Sequence, residues 1–231
     1  MSVITTPRSA ARPAARGASK QDLRKRIEAL KPGDVFSIDR PITIDEFCEY
    51  GSDEYGSELV NGVIYVMSPP TDRHEALATW LARVLGMYVE ALGLGEVRGG
   101  RSGVGIGRTS VREPDVLFFR RERVGEMTER GVHGAPDLAV EIVDSAKARR
   151  DAVQKQAQYQ EVGVAELWVI DLPQRELRQF TLDEGAFRRI PAGEPGEFAS
   201  RTVQGFRLRT EWLFQGPRFP SSLEIVQNLL A

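Results

Sequence analysis

The run E-P-D-V-L-F-F at residues 113–119 leads through a charged loop to A-P-D-L-A-V-E-I-V at 135–143, and then to a polar helix carrying K-Q-A-Q-Y at 155–159. Two short apolar strands each carry acids, and a helix with a lysine follows them. V-L-F-F and L-A-V-E-I-V are nearly continuous in apolar residues, which is typical of strands covered on both faces. A carboxylate in such a strand is costly unless it is paired or metal-bound. Asp115 and Glu141 therefore stand out. For Glu141 the plainer alternative is a salt bridge to one of the many arginines. Asp115 can instead sit at the exposed start of its strand.

Geometry sorts the four acids of this stretch, Glu113, Asp115, Asp137 and Glu141. Asp137 and Glu141 lie on the same face of one strand, four residues and therefore ~13 Å apart. A magnesium ion binds oxygens at ~2.1 Å, so one ion does not span that pair. Asp115 and Glu141 can converge on one ion if their strands are neighbours, ~4.8 Å apart. Pro114 has no N–H for a strand ladder, so the strand is expected to splay there and leave room. Asp137, beside Pro136, reads as a residue at the start of its strand.

Lys155 and Tyr159 are one turn apart and share a helix face. A lysine near a cation-bound water can orient the nucleophile or stabilise developing charge. Asp151, four residues before Lys155, offers a surface ion pair instead, and periodicity alone favours that. His74, near the start of a long helix, can contact phosphate or a ligand, or can simply bond locally. His133, in a glycine-flanked loop, has a weaker case. Neither histidine has a Ser or Cys partner in a recognisable motif, so no nucleophilic triad is read.

Outward from this stretch, Leu138–Val143 is a strand, Ala146–Val162 a helix stopped by Gly163, and Ala165–Asp171 with Glu176–Leu182 a strand pair. Weaker strands fall at Phe187–Ile190 and Phe206–Leu208, and a last helix at about Ser222 to Leu230. On the N-terminal side, Val111–Phe119 reads as one strand. Residues 96–107 alternate glycine with small or apolar residues. They lack the Gly-Lys-Ser/Thr ending of a phosphate loop, and no helix follows, so they read as a glycine-rich strand with Val104 and Ile106 inward. Leu77, Trp80, Leu81, Val84, Leu85, Tyr88 and Leu92 form the apolar stripe of a helix from about Asp72 to Leu92. Asn61-Gly62 marks a hairpin between Ser57–Val60 and Val63–Met67. Thr43 and Glu46 fit a capping box, and Leu23, Ile27 and Leu30 give a short amphipathic helix over 20–31. The pattern is a mixed sheet flanked by helices.

The chain's 231 residues, 41% hydrophobic and 28% charged, suffice for one domain with extensions or at most two small ones. The net charge of -2 gives no global sign of nucleic-acid binding. The cations are unevenly placed, however. Arg8, Arg12, Arg16, Lys20, Arg24, Lys25, Arg26, Lys31 and Arg40 precede Ile42, against Asp22, Glu28, Asp34 and Asp39. The single cysteine, Cys48, excludes an intramolecular disulfide, a zinc knuckle and an iron–sulfur cluster, and a reducing cytoplasm is expected. No apolar run approaches the ~20 residues of a membrane span. Residues 1–20 lack a signal-peptide hydrophobic region and read as a disordered basic arm, able to add nonspecific backbone affinity to a nucleic-acid site.

Several blocks in one order carry a family likeness: E-L-V-N-G-V-I-Y-V-M-S-P-P at 58–70, His74 and its helix, E-P-D-V-L-F-F, G-A-P-D-L-A-V-E-I-V, the D-x-x-x-K-x-x-x-Y of 151–159, and E-L-W-V-I-D at 166–171. Together they resemble the Uma-type putative restriction endonuclease family, a former domain of unknown function, over about Ile42 to Leu213. The resemblance implies the PD-(D/E)xK nuclease fold: α/β, restriction-endonuclease-like, with a mixed central β-sheet flanked by helices and additional β-hairpins. It also implies metal-dependent phosphodiester hydrolysis. By position Asp115 is the motif's aspartate, Glu141 its second acid and Glu58 an additional acid. The place of the usual lysine holds Val143, so the lysine is expected from the next helix, at Lys155. The turn Asp144-Ser145-Ala146-Lys147 departs from the family's Ser-Pro-Ser-like turn and makes Lys147 a competitor. Tyr159 and His74 are accessory candidates.

The expectations are as follows. Residues 1–20 form the arm, 21–41 a short helical extension, 42–215 the nuclease-like domain, and 216–231 a C-terminal helical tail. The function is that of a bacterial, cytoplasmic endonuclease using Mg2+ (or Mn2+) on nucleic acid, DNA in particular, with no membrane partner and a homodimer left open. The alternative is a catalytically weak or inactive nucleic-acid-binding or protein-interaction module on the same fold. A third option is hydrolysis of another phosphoester.

Overall fold

The computed structural model of the chain describes residues 20–51, 54–127, 131–191, 196–216 and 218–231. The expected disordered arm lies outside them except for Lys20, which opens the first helix. In chain order the elements are α1 (Lys20–Glu28), β1 (Val35–Phe36), α2 (Ile44–Tyr50), β2 (Ser57–Val60), β3 (Val63–Val66), α3 (Asp72–Leu92), β4 (Gly95–Gly99), β5 (Gly103–Ile106), β6 (Ser110–Arg112), β7 (Val116–Arg120), β8 (Val132–His133), β9 (Leu138–Val143), α4 (Ala146–Val162), β10 (Glu166–Asp171), β11 (Glu176–Asp183), β12 (Ala186–Arg189), β13 (Glu197–Ala199), β14 (Arg207–Arg209) and α5 (Ser222–Leu230). They form two compact units. One runs to Pro69 and takes in Gly107–Arg112; the other comprises Pro70–Ile106 and Glu113–Ala231.

The first unit is built on the antiparallel order β1-β3-β2-β6. Asn61 and Gly62 take φ of 51° and 78°, the left-handed pair that closes a two-residue hairpin with the right twist. Thr43 and Glu46 make the expected capping box at α2. Arg40 also grips Glu46, at 2.8 Å through one nitrogen and closely through a second. That hydrogen-bonded guanidinium, opposed by burial and helped by the Thr43 N–H and hydroxyl, lowers the Glu46 carboxyl from 4.5 to about 2.

In the second unit a mixed sheet has the order β12-β11-β10-β9-β7-β4. β9 and β10 run parallel, and the other neighbours are antiparallel. Every residue of β9 and β10 is buried. Strand alternation divides them between two cores. Val116, Phe118, Leu138, Val140, Ile142, Trp168 and Ile170 pack with α3 and α5. Leu117, Phe119, Ala139, Val143, Leu167 and Val169 pack with Ala152 and Tyr159 of α4. The glycine-rich stretch, expected as one strand, divides into β4, antiparallel to β7, and β5, parallel to β8, with Val104 and Ile106 buried as expected.

Two expectations change. Val111–Phe119 is not one strand: it breaks over 113–115, between β6 in one unit and β7 in the other. Pro114, which lacks a ladder donor, sits in the break. Leu92 leaves the α3 stripe and is 48% exposed, because the helix ends at the left-handed Gly93 just beyond it. Among the described residues no helix is long and apolar enough to cross a membrane.

One buried carboxylate fastens the β13–β14 hairpin to the sheet. Glu166 accepts from Trp168 Nε1 through Oε1. Its Oε2 accepts from the hydroxyls of Ser200 and Thr202 and from the N–H groups of Arg201 and Thr202. Glu166→Gln sets an amide N–H against these donors, and we expect a loss of roughly 3 kcal/mol, read as a thermal midpoint about 10 °C lower. The Arg40–Glu46 pair predicts an acid limb. Its stabilisation is present above the ordinary carboxyl value and is lost as pH falls through the folded one. Urea titrations of Glu46→Gln should therefore show a shallower loss of stability than wild type between pH 4.5 and about 2.

Candidate active site

The site begins with strand register. β7 and β9 pair antiparallel with Val116 opposite Val140, and Asp115 stands just before the first paired residue of β7. Asp115 is pinned there twice. Its N–H donates to Val140 O at 2.9 Å, and its Oδ2 accepts from Ile142 N at 2.6 Å. In a continued ladder Ile142 N–H would meet the main chain of residue 114; here the Asp115 side chain takes it. The neighbouring strands that the Asp115–Glu141 argument required are thus present, and the splay at Pro114 turns the aspartate side chain into a ladder partner.

Glu141 lies on the α4 face of β9. Its Oε2 accepts from Lys155 Nζ at 2.9 Å and its Oε1 from Tyr159 OH at 2.6 Å. The Glu141 and Lys155 side chains are 8% and 7% exposed, and Tyr159 is fully buried. The i,i+4 partner Asp151 is also near Lys155, but at 3.9 Å. Glu113 contributes its backbone oxygen, 3.5 Å from Lys155 Nζ. The lysine is therefore not the surface ion-pair residue that periodicity favoured. Ser145 caps α4, and Arg149 in its second turn is tied to Asp171 at the end of β10 by two hydrogen bonds. The Arg149 contact, against opposing burial, holds the Asp171 carboxyl below its usual value. These ties set the helix over the sheet so that Lys155 and Tyr159 reach Glu141. Lys147, in the first turn, is exposed.

His74 stands in the first turn of α3, with Nε2 3.2 Å from Asp115 Oδ1. Burial lowers its pKa, but the Asp115 hydrogen bond and charge, with Asp144 and Glu75, outweigh burial and the net shift is upward. Thr71, the N-cap of α3, accepts from His74 N and donates to Asp144 Oδ2 at 3.0 Å. Neither the His74–Asp115 pair nor the Thr71–Asp144 tie has a sequence signal, because both join elements far apart in the chain.

The other candidates have partners of their own. Glu58 belongs to the first unit, where it is 2% exposed and accepts from Arg112 at 2.7 Å. Asp137 accepts from Arg120 N and pairs with Arg120 and Arg123, as a residue opening its strand would. His133 packs edge-on against Phe119, and burial followed by the Arg98 charge lowers its pKa. Among the described residues no group of three or more His, Cys, Asp or Glu side chains is arranged to hold an ion. Asp115 and Glu141 supply a pair of hard carboxylates with lone pairs beyond those already bonded. Mg2+ suits such a set, since it keeps waters and binds through one or two carboxylates plus substrate phosphate.

The comparisons with known proteins follow this geometry. No curated protein matches the chain. A solved structure described as a putative nuclease belonging to DUF820, from Anabaena variabilis, superposes with a TM-score of 0.63 at 20% identity, covering 75% of this chain and 98% of that one. At that identity the likeness shows a shared mixed α/β fold. The profile of the Uma2 family, described as a putative restriction endonuclease, matches residues 44–211. Since those residues include both strands of the site and α4, and make up most of the chain, the protein belongs to the Uma2 family.

Proposed function

We propose that the chain is a divalent-cation-dependent endonuclease that hydrolyses phosphodiester bonds of DNA. The observation that supports it is Asp115 bonded to the β9 main chain on either side of Glu141, at Val140 and Ile142, with Lys155 on Glu141. In this reading Asp115 and Glu141 hold Mg2+ or Mn2+. Glu58, the additional acid that the resemblance implies, is salt-bridged to Arg112. The bound cation would polarise a phosphoryl oxygen and acidify a water. The protein's own groups do the rest. Lys155 places an ammonium beside Glu141, where it can orient the attacking water or offset charge growing on the phosphoryl oxygens. Tyr159 fixes the Glu141 carboxylate from the other side. Water adds to phosphorus, the phosphorus–oxygen bond to one sugar breaks, and the leaving oxygen gains a proton. The preference for DNA follows the restriction endonuclease description of the family.

A second reading is a nucleic-acid-binding module with a silent site. It draws on one observation: all four oxygens of Asp115 and Glu141 already accept from, or face, a protein donor. Calorimetry separates the two. No Mn2+ binding with DNA binding intact supports the silent module.

For the nuclease, plasmid DNA and RNA are incubated with the protein in Mg2+ or Mn2+. Wild type should cut DNA. Asp115→Asn and Glu141→Gln should each cut about 100-fold more slowly or worse, and undiminished cutting by both variants refutes the assignment. Lys155→Met should lose activity and also about 3 kcal/mol of stability, because it removes the ammonium that offsets the buried Glu141 charge.

A further inference from the structure

His74 has no part in the chemistry above, yet it touches one of the two carboxylates on which that chemistry rests. The terminal torsion of an aspartate is broad, so a carboxylate held at one oxygen can still swing. Asp115 is held at both. Ile142 N–H takes Oδ2 from the sheet, and His74 Nε2 meets Oδ1 from α3. The imidazole is itself located by the first turn of α3. That turn is capped by Thr71, whose hydroxyl is bonded to Asp144 just past β9. The helix start and the strand end are thus joined around the same carboxylate.

The two ring nitrogens are differently placed. Nε2 is spent on Asp115. Nδ1 is buried and has no hydrogen-bond partner among the described residues. The geometry points to His74 as a positioning residue, which fixes the Asp115 carboxylate through Nε2 so that its free lone pairs stay turned toward a cation shared with Glu141. Partners that orient metal-binding carboxylates typically contribute 10–100-fold to metal affinity. This inference rests on the metal reading of the site.

The test is Mn2+ affinity measured by calorimetry on the full chain, with wild type, Asp115→Asn, His74→Ala and His74→Gln side by side and circular dichroism checking the fold. Gln carries an amide nitrogen as many bonds from Cα as Nε2 and can donate to Oδ1. His74→Ala should bind Mn2+ about 10–100-fold more weakly, and His74→Gln should recover to within a few-fold of wild type. Should His74→Ala not fold, His74→Asn replaces it, since its amide is one methylene too short. Full-strength binding by folded His74→Ala overturns the positioning role alone. So does a loss that Gln does not restore, which would assign the imidazole itself to the ion. A wild-type chain that takes no Mn2+ overturns the metal reading and this inference with it.

Discussion

Glu141 is a charge in the middle of a strand whose two faces are both covered. Taking a carboxylate out of water costs several kcal/mol even after relaxation, and β9 has no exposed side to which the group can turn. Lys155 and Tyr159 make the position tenable by supplying one donor to each oxygen. That requirement fixes how α4 lies on the sheet. Tyr159 and Ala152 pack among the same apolar residues that flank Glu141, while the Arg149–Asp171 pair holds the N-terminal part of the helix to β10. The ammonium to which the proposed function gives a catalytic role is also the counter-charge that the fold needs.

Pro114 supplies the second constraint. It lies where the chain passes from a sheet of one unit into the sheet of the other. The ladder stops there, and the next residue is free to aim a side chain along the sheet edge. Asp115 does so while keeping its own N–H on β9. Its carboxylate therefore occupies a place that a regular strand would fill with main chain. The donors around it come from β9 and from the start of α3, so the site draws together segments otherwise separated by much of the chain.

Local rules accounted for much of the fold. The bounds of α3 and α4 follow from capping residues, apolar spacing and the glycines that end them, all of which act within a few residues. The Asn61-Gly62 hairpin and the Thr43–Glu46 box are local for the same reason. The single-strand reading of Val111–Phe119 failed because the chain changes sheets at the polar run Arg112–Asp115, around Pro114, between apolar ends that each look like strand. Lys155 shows the same limit within the site. Its helix-surface neighbour Asp151 is visible in the sequence, but its closer partner Glu141 lies on a strand beneath the helix.

The sequence by itself determined which residues were strange: two carboxylates in apolar strands, a proline beside one of them, and a lysine and a tyrosine one turn apart. Those are matters of residue type and short spacing, which hydrophobicity and backbone geometry settle locally. Only the tertiary structure decided that β7 lies beside β9 so that Asp115 bonds to the main chain on either side of Glu141, that Lys155 rather than exposed Lys147 meets the glutamate, and that His74 meets the aspartate. Strand order, helix placement and side-chain pairing across the sheet depend on how separate segments share the burial of apolar surface and charge. No stretch of the chain carries that information alone.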